Sequence, residues 1–191
     1  MSQRDDDLAR RFLKEISKTL DVCAAAKKVG ITEDEARSIF KGLAGEPVQE
    51  PLFKAPVSGL YEIRVDGASR GNPGQAGAGA IIKDPQGNIV RELRKYLGVT
   101  TNNMAEYHAL VMALTEAVSM GVAEVEVFAD SELMVKQVTG VYRVKSEDLR
   151  PLFEEAKRLF KGFRASKIVH VYREENSLAD KLANEAIERR A

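Results

Sequence analysis

The chain has 191 residues, 44% apolar and 30% charged, with 29 basic and 29 acidic side chains that cancel at neutral pH. This balance excludes a uniformly basic coat, so any grip on a polyanion must come from uneven placement of cations. The length allows one or two domains with an ordinary core, and with neither a long apolar run nor a leader pattern the expectation is a cytoplasmic protein without membrane association; the single Cys23 excludes an internal disulfide.

Leu8, Phe12, Leu13, Ile16 and Leu20 recur at helical spacing and predict an amphipathic helix over about residues 6–20. Residues 21–28, Gly30 and residues 32–43 then read as helix, turn and helix. Thr32 and Glu35 are spaced as a capping box, and Ala26, Ile31, Ala36 and Ile39 take small or core positions. Cys23, beside Val22 and Ala24, suits the core of this module. Residues 1–44 are therefore expected to form a small all-α, helix-turn-helix-like domain. Its second helix begins Glu33-Asp34-Glu35, which would oppose phosphate, and residues 1–57 hold ten Lys and Arg against ten Asp and Glu. A protein partner or self-association through residues 1–44 is favoured over sequence-specific DNA binding. Pro47, Pro51 and Pro56 punctuate residues 45–59, read as a linker.

In residues 60–191, Tyr61, Ile63 and Val65 alternate with Glu62 and Arg64, predicting a strand over 60–66 that delivers Asp66 at its end. A turn through Gly71-Asn72-Pro73-Gly74 follows; alone, such residues are ordinary hairpin chemistry. Strands are expected over 76–84 and 88–97, joined by the Asp84-Pro85-Gln86-Gly87 hairpin. The glycine-alanine run from Gln75 to Ala80 suits close strand packing as much as ligand approach. Thr101-Asn102-Asn103-Met104-Ala105-Glu106 opens a helix whose core stripe is Leu110, Val111, Leu114 and Val118, with Asn102 a candidate N-cap and Met104 and Met112 assigned to packing. Val125 to Ser131 reads as a strand ending on Asp130. The connection from Thr139 to Lys145 carries Arg143 and Lys145, either phosphate contacts or parts of a solvated turn. Leu149, Leu152, Phe153, Ala156, Leu159 and Phe160 mark another amphipathic helix, with Lys157, Arg158 and Lys161 on its solvated face. His170 lies in the alternating run from Ile168 to Tyr172, expected as the last strand, and Asn176 to Asp180 opens the final helix. The order predicts an α/β domain with a mixed five-stranded sheet and helices on both faces.

The four segments around Asp66, Glu106, Asp130 and Asp180, in this order, resemble a type 1 ribonuclease H from about Leu60 to Arg189. The resemblance implies the ribonuclease H fold and a metal-dependent endonuclease that hydrolyses the RNA strand of RNA/DNA hybrids, leaving a 3′-hydroxyl and a 5′-phosphate. It implies that Asp66 bridges two Mg2+ ions, or Mn2+, that Glu106 and Asp130 hold one of them, and that Asp180 completes the other. Carboxylates suit that role because hard cations prefer oxygen, and two ions about 3.5–4 Å apart both activate a water and stabilise the leaving oxygen. It also places Asn72, Thr101, Asn102 and Asn103, with Gly67 and Ser131, along the minor groove of the hybrid, where 2′-hydroxyls are exposed.

Two departures accompany the resemblance. The best-known bacterial members carry a mobile histidine before the final aspartate; here the loop is short, His170 reads as a strand residue, and Arg173, Glu174 and Glu175 become the candidates for product release. Their tryptophan-bearing helical insertion is reduced here to Thr139–Lys145. Two other readings remain: a same-fold nuclease acting on another nucleic acid such as double-stranded RNA, and a non-catalytic nucleic-acid or protein adaptor. Against an adaptor stand four acids whose mutual repulsion it would have no use for.

Overall fold

The computed structural model describes residues 57–190, together with Lys14, residues 30–32 and Glu35. The chain divides into two compact units, residues 1–55 and 56–191. In the first, the expected capping box is present: the Glu35 N–H donates to Thr32 Oγ1 (3.2 Å) and the Thr32 N–H to the Glu35 carboxylate (2.6 Å). The other expectations for residues 1–56, namely the helices, the core position of Cys23 and the proline linker, lie outside the described residues. Among the described residues no helix is long and apolar enough to cross a membrane.

The second unit is built on a five-stranded sheet in the order β3-β2-β1-β4-β5. Its strands are β1 (Val57–Gly71), β2 (Gly74–Lys83), β3 (Ile89–Thr100), β4 (Val122–Ala129) and β5 (Ala165–His170). The helices are α1 (Asn102–Ser119), α2 (Glu132–Val138), α3 (Arg150–Phe160) and α4 (Ser177–Arg189), the last entered through a single 3-10 turn, Arg173–Asn176. β1, β2 and β3 pair antiparallel, whereas β1–β4 and β4–β5 pair parallel, so the sheet is mixed as expected. The turn at Asp84 also forms as expected: the Gly87 N–H donates to Asp84 O (2.9 Å), and the Asp84 carboxylate accepts from the Gln86 and Asn88 N–H groups.

The strand boundaries differ from expectation: β2 spans 74–83 rather than 76–84, β3 runs from Ile89 to Thr100 rather than over 88–97, and β1 and β5 differ in ways that bear on the site. β1 takes in residues 57–59 from the expected linker and continues to Gly71, so Asp66 lies within the strand. What stops at Asp66 is one of its two ladders: pairing with β4 ends at Val65↔Ala129, while pairing with β2 continues through Asp66↔Gly79 to Gly71↔Gly74. The residues after Asp66 lack apolar alternation, yet the β2 backbone beside them supplies the missing partners. β5 begins three residues before Ile168 and stops at His170, leaving Tyr172 outside the strand and 75% exposed.

The two sheet faces are covered by different helices. Ile63, Val65, Val125 and Val127 pack with Tyr107, Leu110, Ala113 and Leu114 of α1, all fully or nearly fully buried. Each such aliphatic side chain contributes about 1.5–3 kcal/mol when removed from water. The opposite face is closed by α4 at very short range. A Cβ on Gly79 would lie 2.4 Å from Ala179 O and from Ala183 N, and one on Gly77 would lie 2.4 Å from Ala183 O. The glycine-alanine run is thus a packing feature, and it sets how deeply α4, with Asp180 in its first turn, sits on the sheet. Gly79→Ala should therefore push α4 outward and cost about 1–3 kcal/mol as an overpacking change, read by urea denaturation; unchanged stability would mean that α4 yields without loss.

Candidate active site

Asp66 sits where β1 loses its β4 neighbour, and Asp130 follows the last residue of that neighbour, so both acids emerge at the same edge of the β1–β4 ladder. Glu106 arrives from the first turns of α1. Gly67 lets it come close: a Cβ there would fall 2.2 Å from the Glu106 N and 2.3 Å from the Ala105 carbonyl carbon. Asp180 comes from the opposite face, in the first turn of α4.

Each acid has a defined neighbour. Ser131 Oγ donates to Glu106 Oε2 (2.6 Å) and Asn102 Nδ2 donates to Glu106 Oε1 (2.9 Å), so both carboxylate oxygens are held. Asn176 is fully buried; its Nδ2 donates to Val65 O (2.8 Å) and to Asp130 Oδ1 (3.2 Å), tying the β1 backbone to the acid. The Asn176 Oδ1 is buried without a donor among the described residues. Arg173 donates to Asp180 Oδ1 at 2.7 Å. Arg64 stacks on Phe128 at 5.0 Å and donates to the Glu175 carbonyl, pinning the 3-10 turn to β1.

Electrostatics confirm that the four carboxylates share a field. Burial, then the charges of Asp130 and Asp180, push the Asp66 carboxyl up to about 8, against a hydrogen bond from the Gly67 backbone. Burial pushes Glu106 up to about 7; the Ser131 and Asn102 hydrogen bonds oppose this and the Asp130 charge adds to it. The Arg173 guanidinium is held more firmly protonated by Asp180, with Asp66 and Asp130 contributing. Like charges this close repel unless protons or cations intervene. The donor set, four carboxylates with buried polar oxygens nearby, fits hard divalent cations. Among the described residues no three acid, histidine or cysteine side chains close around one point.

The other expected site residues are partly gathered. Asn72 Oδ1 accepts from the Asn102 N–H (3.2 Å), joining the β1–β2 turn to the start of α1. Asn72 and Asn103 are exposed beside Glu106, and Thr101 and Asn102 are half-buried. The α1 N-cap is Thr101, not Asn102: Thr101 has extended backbone and its Oγ1 accepts from the Met104 N–H (3.3 Å), which leaves the Asn102 amide for Glu106. Ser131 caps α2 while serving Glu106. Gly67 is packed against α1. Of the candidates for product release, Arg173 reaches Asp180, Glu175 accepts from the Tyr172 N–H, and Glu174 is exposed. His170 is the exposed last residue of β5. Asn176, which ties Asp130 to β1, was not foreseen as a site residue; an asparagine at the turn before a helix reads first as a cap.

Comparison with known proteins agrees with this geometry. A family model described as reverse transcriptase-like matches residues 64–186. Ribonuclease HI of Halobacterium salinarum is 45% identical over 130 residues, 68% of this chain and 65% of that protein. Ribonuclease H of Paramagnetospirillum magneticum is 34% identical over 147 residues, covering 70% of this chain and 93% of its own length. Among solved structures, LC11-RNase H1 in complex with an RNA/DNA hybrid superposes with a TM-score of 0.65 at 43% identity, over 68% of this chain and 98% of that one. The chain spans less than two thirds of several curated relatives, among them 35% of a bifunctional protein of Mycobacterium tuberculosis and 24% of a putative ribonuclease H protein of Arabidopsis thaliana.

The raised acids make a signed prediction for pH. Their folded values exceed the ordinary 3.8 and 4.5, so the stability they contribute is present at low pH and is lost as pH rises through about 7 to 8. With divalent ions chelated, stability should fall between pH 5 and 8 by at most about 1.4 kcal/mol per pH unit per group, read as a falling melting temperature. Asp66→Asn should flatten that fall and raise stability at pH 8. A pH-independent melting curve for the wild-type protein would contradict the close placement of the acids.

Proposed function

Since the chain belongs to the ribonuclease H family, we propose that it is a metal-dependent endonuclease cleaving the RNA strand of RNA/DNA hybrids. The observation that carries this reading is the assembly of Asp66 and Asp130 from the end of the β1–β4 ladder with Glu106 and Asp180 from the first turns of two helices, with Asp66 pushed up to about 8 by burial and by its acidic neighbours. A cluster so costly in repulsion has a use when cations neutralise it.

Asp66, Glu106, Asp130 and Asp180 would hold two divalent ions, magnesium or manganese, and when bound these supply an activated water and charge stabilisation at the leaving oxygen. The chain's own residues do the rest. Ser131 and Asn102 fix both oxygens of Glu106, and Asn176 fixes Asp130, so the carboxylates meet incoming charge in a set orientation rather than reorganising at the moment of reaction. Asn72, Thr101, Asn102 and Asn103 form a short polar rim at the start of α1; amides and hydroxyls of this reach suit the ribose hydroxyls of a shallow minor groove, with Ser131 joined to them through Glu106, while Gly67 is buried beneath the start of α1. Arg173 is the cation at the rim, 75% exposed at its side chain, and is placed to exchange Asp180 for the phosphate of a departing product. Residues 1–44 are assigned to recruitment, by a protein partner or by self-association, and a cytoplasmic location belongs to the same reading.

Purified protein incubated with end-labelled hybrid, RNA duplex and DNA duplex, in magnesium and then manganese, tests the reading. Cuts confined to the RNA strand of the hybrid are expected, absent without metal and abolished by Asp66→Asn with the fold intact. Cleavage retained in that variant overturns the site, and preferential cleavage of RNA duplex overturns the substrate. Arg173→Ala should lower multiple-turnover rates more than the single-turnover rate; an equal loss in both would place Arg173 in the chemical step instead.

A further inference from the structure

α2 begins at Ser131, hydrogen-bonded to Glu106, and its seven residues end about 10 Å away at Val138. There, between the C-terminal ends of α2 and α3 and the outer side of β5, lies a cavity of about 540 Å³ that the catalytic reading does not use. Val138, Phe160 and Ile168 make its apolar wall, Lys157 and Lys161 its rim, and Ser166 to Ile168 its border along β5.

The strand register separates the roles of these residues. Ser166 and Ile168 pair with Val125 and Val127 and so share the α1 face, whereas Lys167 pairs with Glu126 on the other face and its Nζ meets that carboxylate at 2.7 Å. Lys167 therefore borders the cavity with its backbone, not its charge. Among the described residues β5 has one neighbour, β4, and the N–H and C=O groups of its outer side have no strand partner there. The opposite edge strand, β3, is guarded by exposed Arg91, Glu92, Arg94 and Lys95, the usual means of discouraging a visiting strand. On β5 the one such residue between Ser166 and Ile168, Lys167, is exposed but has its charge offset by Glu126.

The charges choose between a polyanion and a peptide. Lys157 is already committed, its Nζ donating to Val138 O at 3.1 Å. That leaves one exposed cation, Lys161, against an apolar wall and a free strand edge. One lysine gives a polyanion little to hold, whereas an apolar wall, a strand edge and a single cation together match an extended peptide with apolar and acidic residues.

We propose that the β5 edge docks an extended segment of a partner protein, which pairs its backbone along Ser166–Ile168, seats an apolar side chain against Val138, Phe160 and Ile168, and sets a carboxylate on Lys161.

The probe is a short acetylated peptide of alternating valine and glutamate, titrated into the full-length, isotope-labelled protein and followed by amide chemical shifts. The amides of residues 165–169 should shift and gain exchange protection. The same peptide with prolines at its pairing positions should leave them unmoved, since proline cannot donate to a ladder. Replacing glutamate by lysine in the peptide should weaken binding about two- to five-fold, the scale of one partly exposed ion pair, and Lys161→Glu should reverse that order while hybrid cleavage and melting stay as in the wild type. Three results each overturn the proposal: no shifts in β5, equal binding of the proline peptide, or a short RNA/DNA hybrid moving the same amides, which would make this a nucleic-acid surface. The wild-type comparison of the two peptides decides the matter even if the Lys161 variant folds poorly.

Discussion

Repulsion among Asp66, Glu106, Asp130 and Asp180 is the constraint around which this domain is built. Carboxylates forced together out of water raise one another's affinity for protons and push apart the elements that bear them. The fold resists by bringing those elements together at backbone range. Gly67 allows α1 to touch β1, and Gly79, the direct ladder partner of Asp66, allows α4 to touch β2 on the other face. Any side chain at either glycine would separate the acids by moving the helices. The apolar packing of α1 against Ile63, Val65, Val125 and Val127 supplies the free energy that holds this arrangement against the repulsion.

Around the acids runs a second set of contacts, made by uncharged side chains. Ser131 and Asn102 occupy both oxygens of Glu106, and Asn176 reaches Asp130 and the Val65 carbonyl together. These groups donate to carboxylates without neutralising them, so orientation is set while the charge remains available to a cation. Arg173 differs in kind: its charge offsets Asp180 directly, yet it is exposed and can leave. The site therefore combines fixed neutral donors in its interior with one mobile cation at its rim.

Much of this was legible in the sequence, and the reasons differ from residue to residue. The four acids could be picked out because their motifs, in this order, resemble the ribonuclease H family, and Asp130 also because the alternation from Val125 to Ala129 ends on it; spacing alone does not show that they converge. The course of β1 beyond Asp66 could not, since Ala68, Ser69 and Arg70 show no alternation and owe their strand conformation to pairing with the β2 backbone. The choice of Thr101 over Asn102 as helix cap follows from a single backbone ψ, which residue type does not determine. Asn176 was hidden because its partners, Val65 and Asp130, are 111 and 46 residues away. Lys157 and Lys161 read as solvated lysines from their helix alone; only the fold shows them beside a free strand edge.

α2 has a property that follows from its shortness. One end is bonded to Glu106 and the other forms a wall of the β5 cavity, with a single rigid stretch of two turns between them. A body that tilts this helix at one end necessarily alters the hydrogen bond at the other. Linkage then makes the effect reciprocal: whatever factor an occupant of the cavity imposes on affinity at the carboxylates, loading of the carboxylates imposes on the occupant. An occupant of the β5 edge and a cation at the carboxylates would then sit at the two ends of one balance beam.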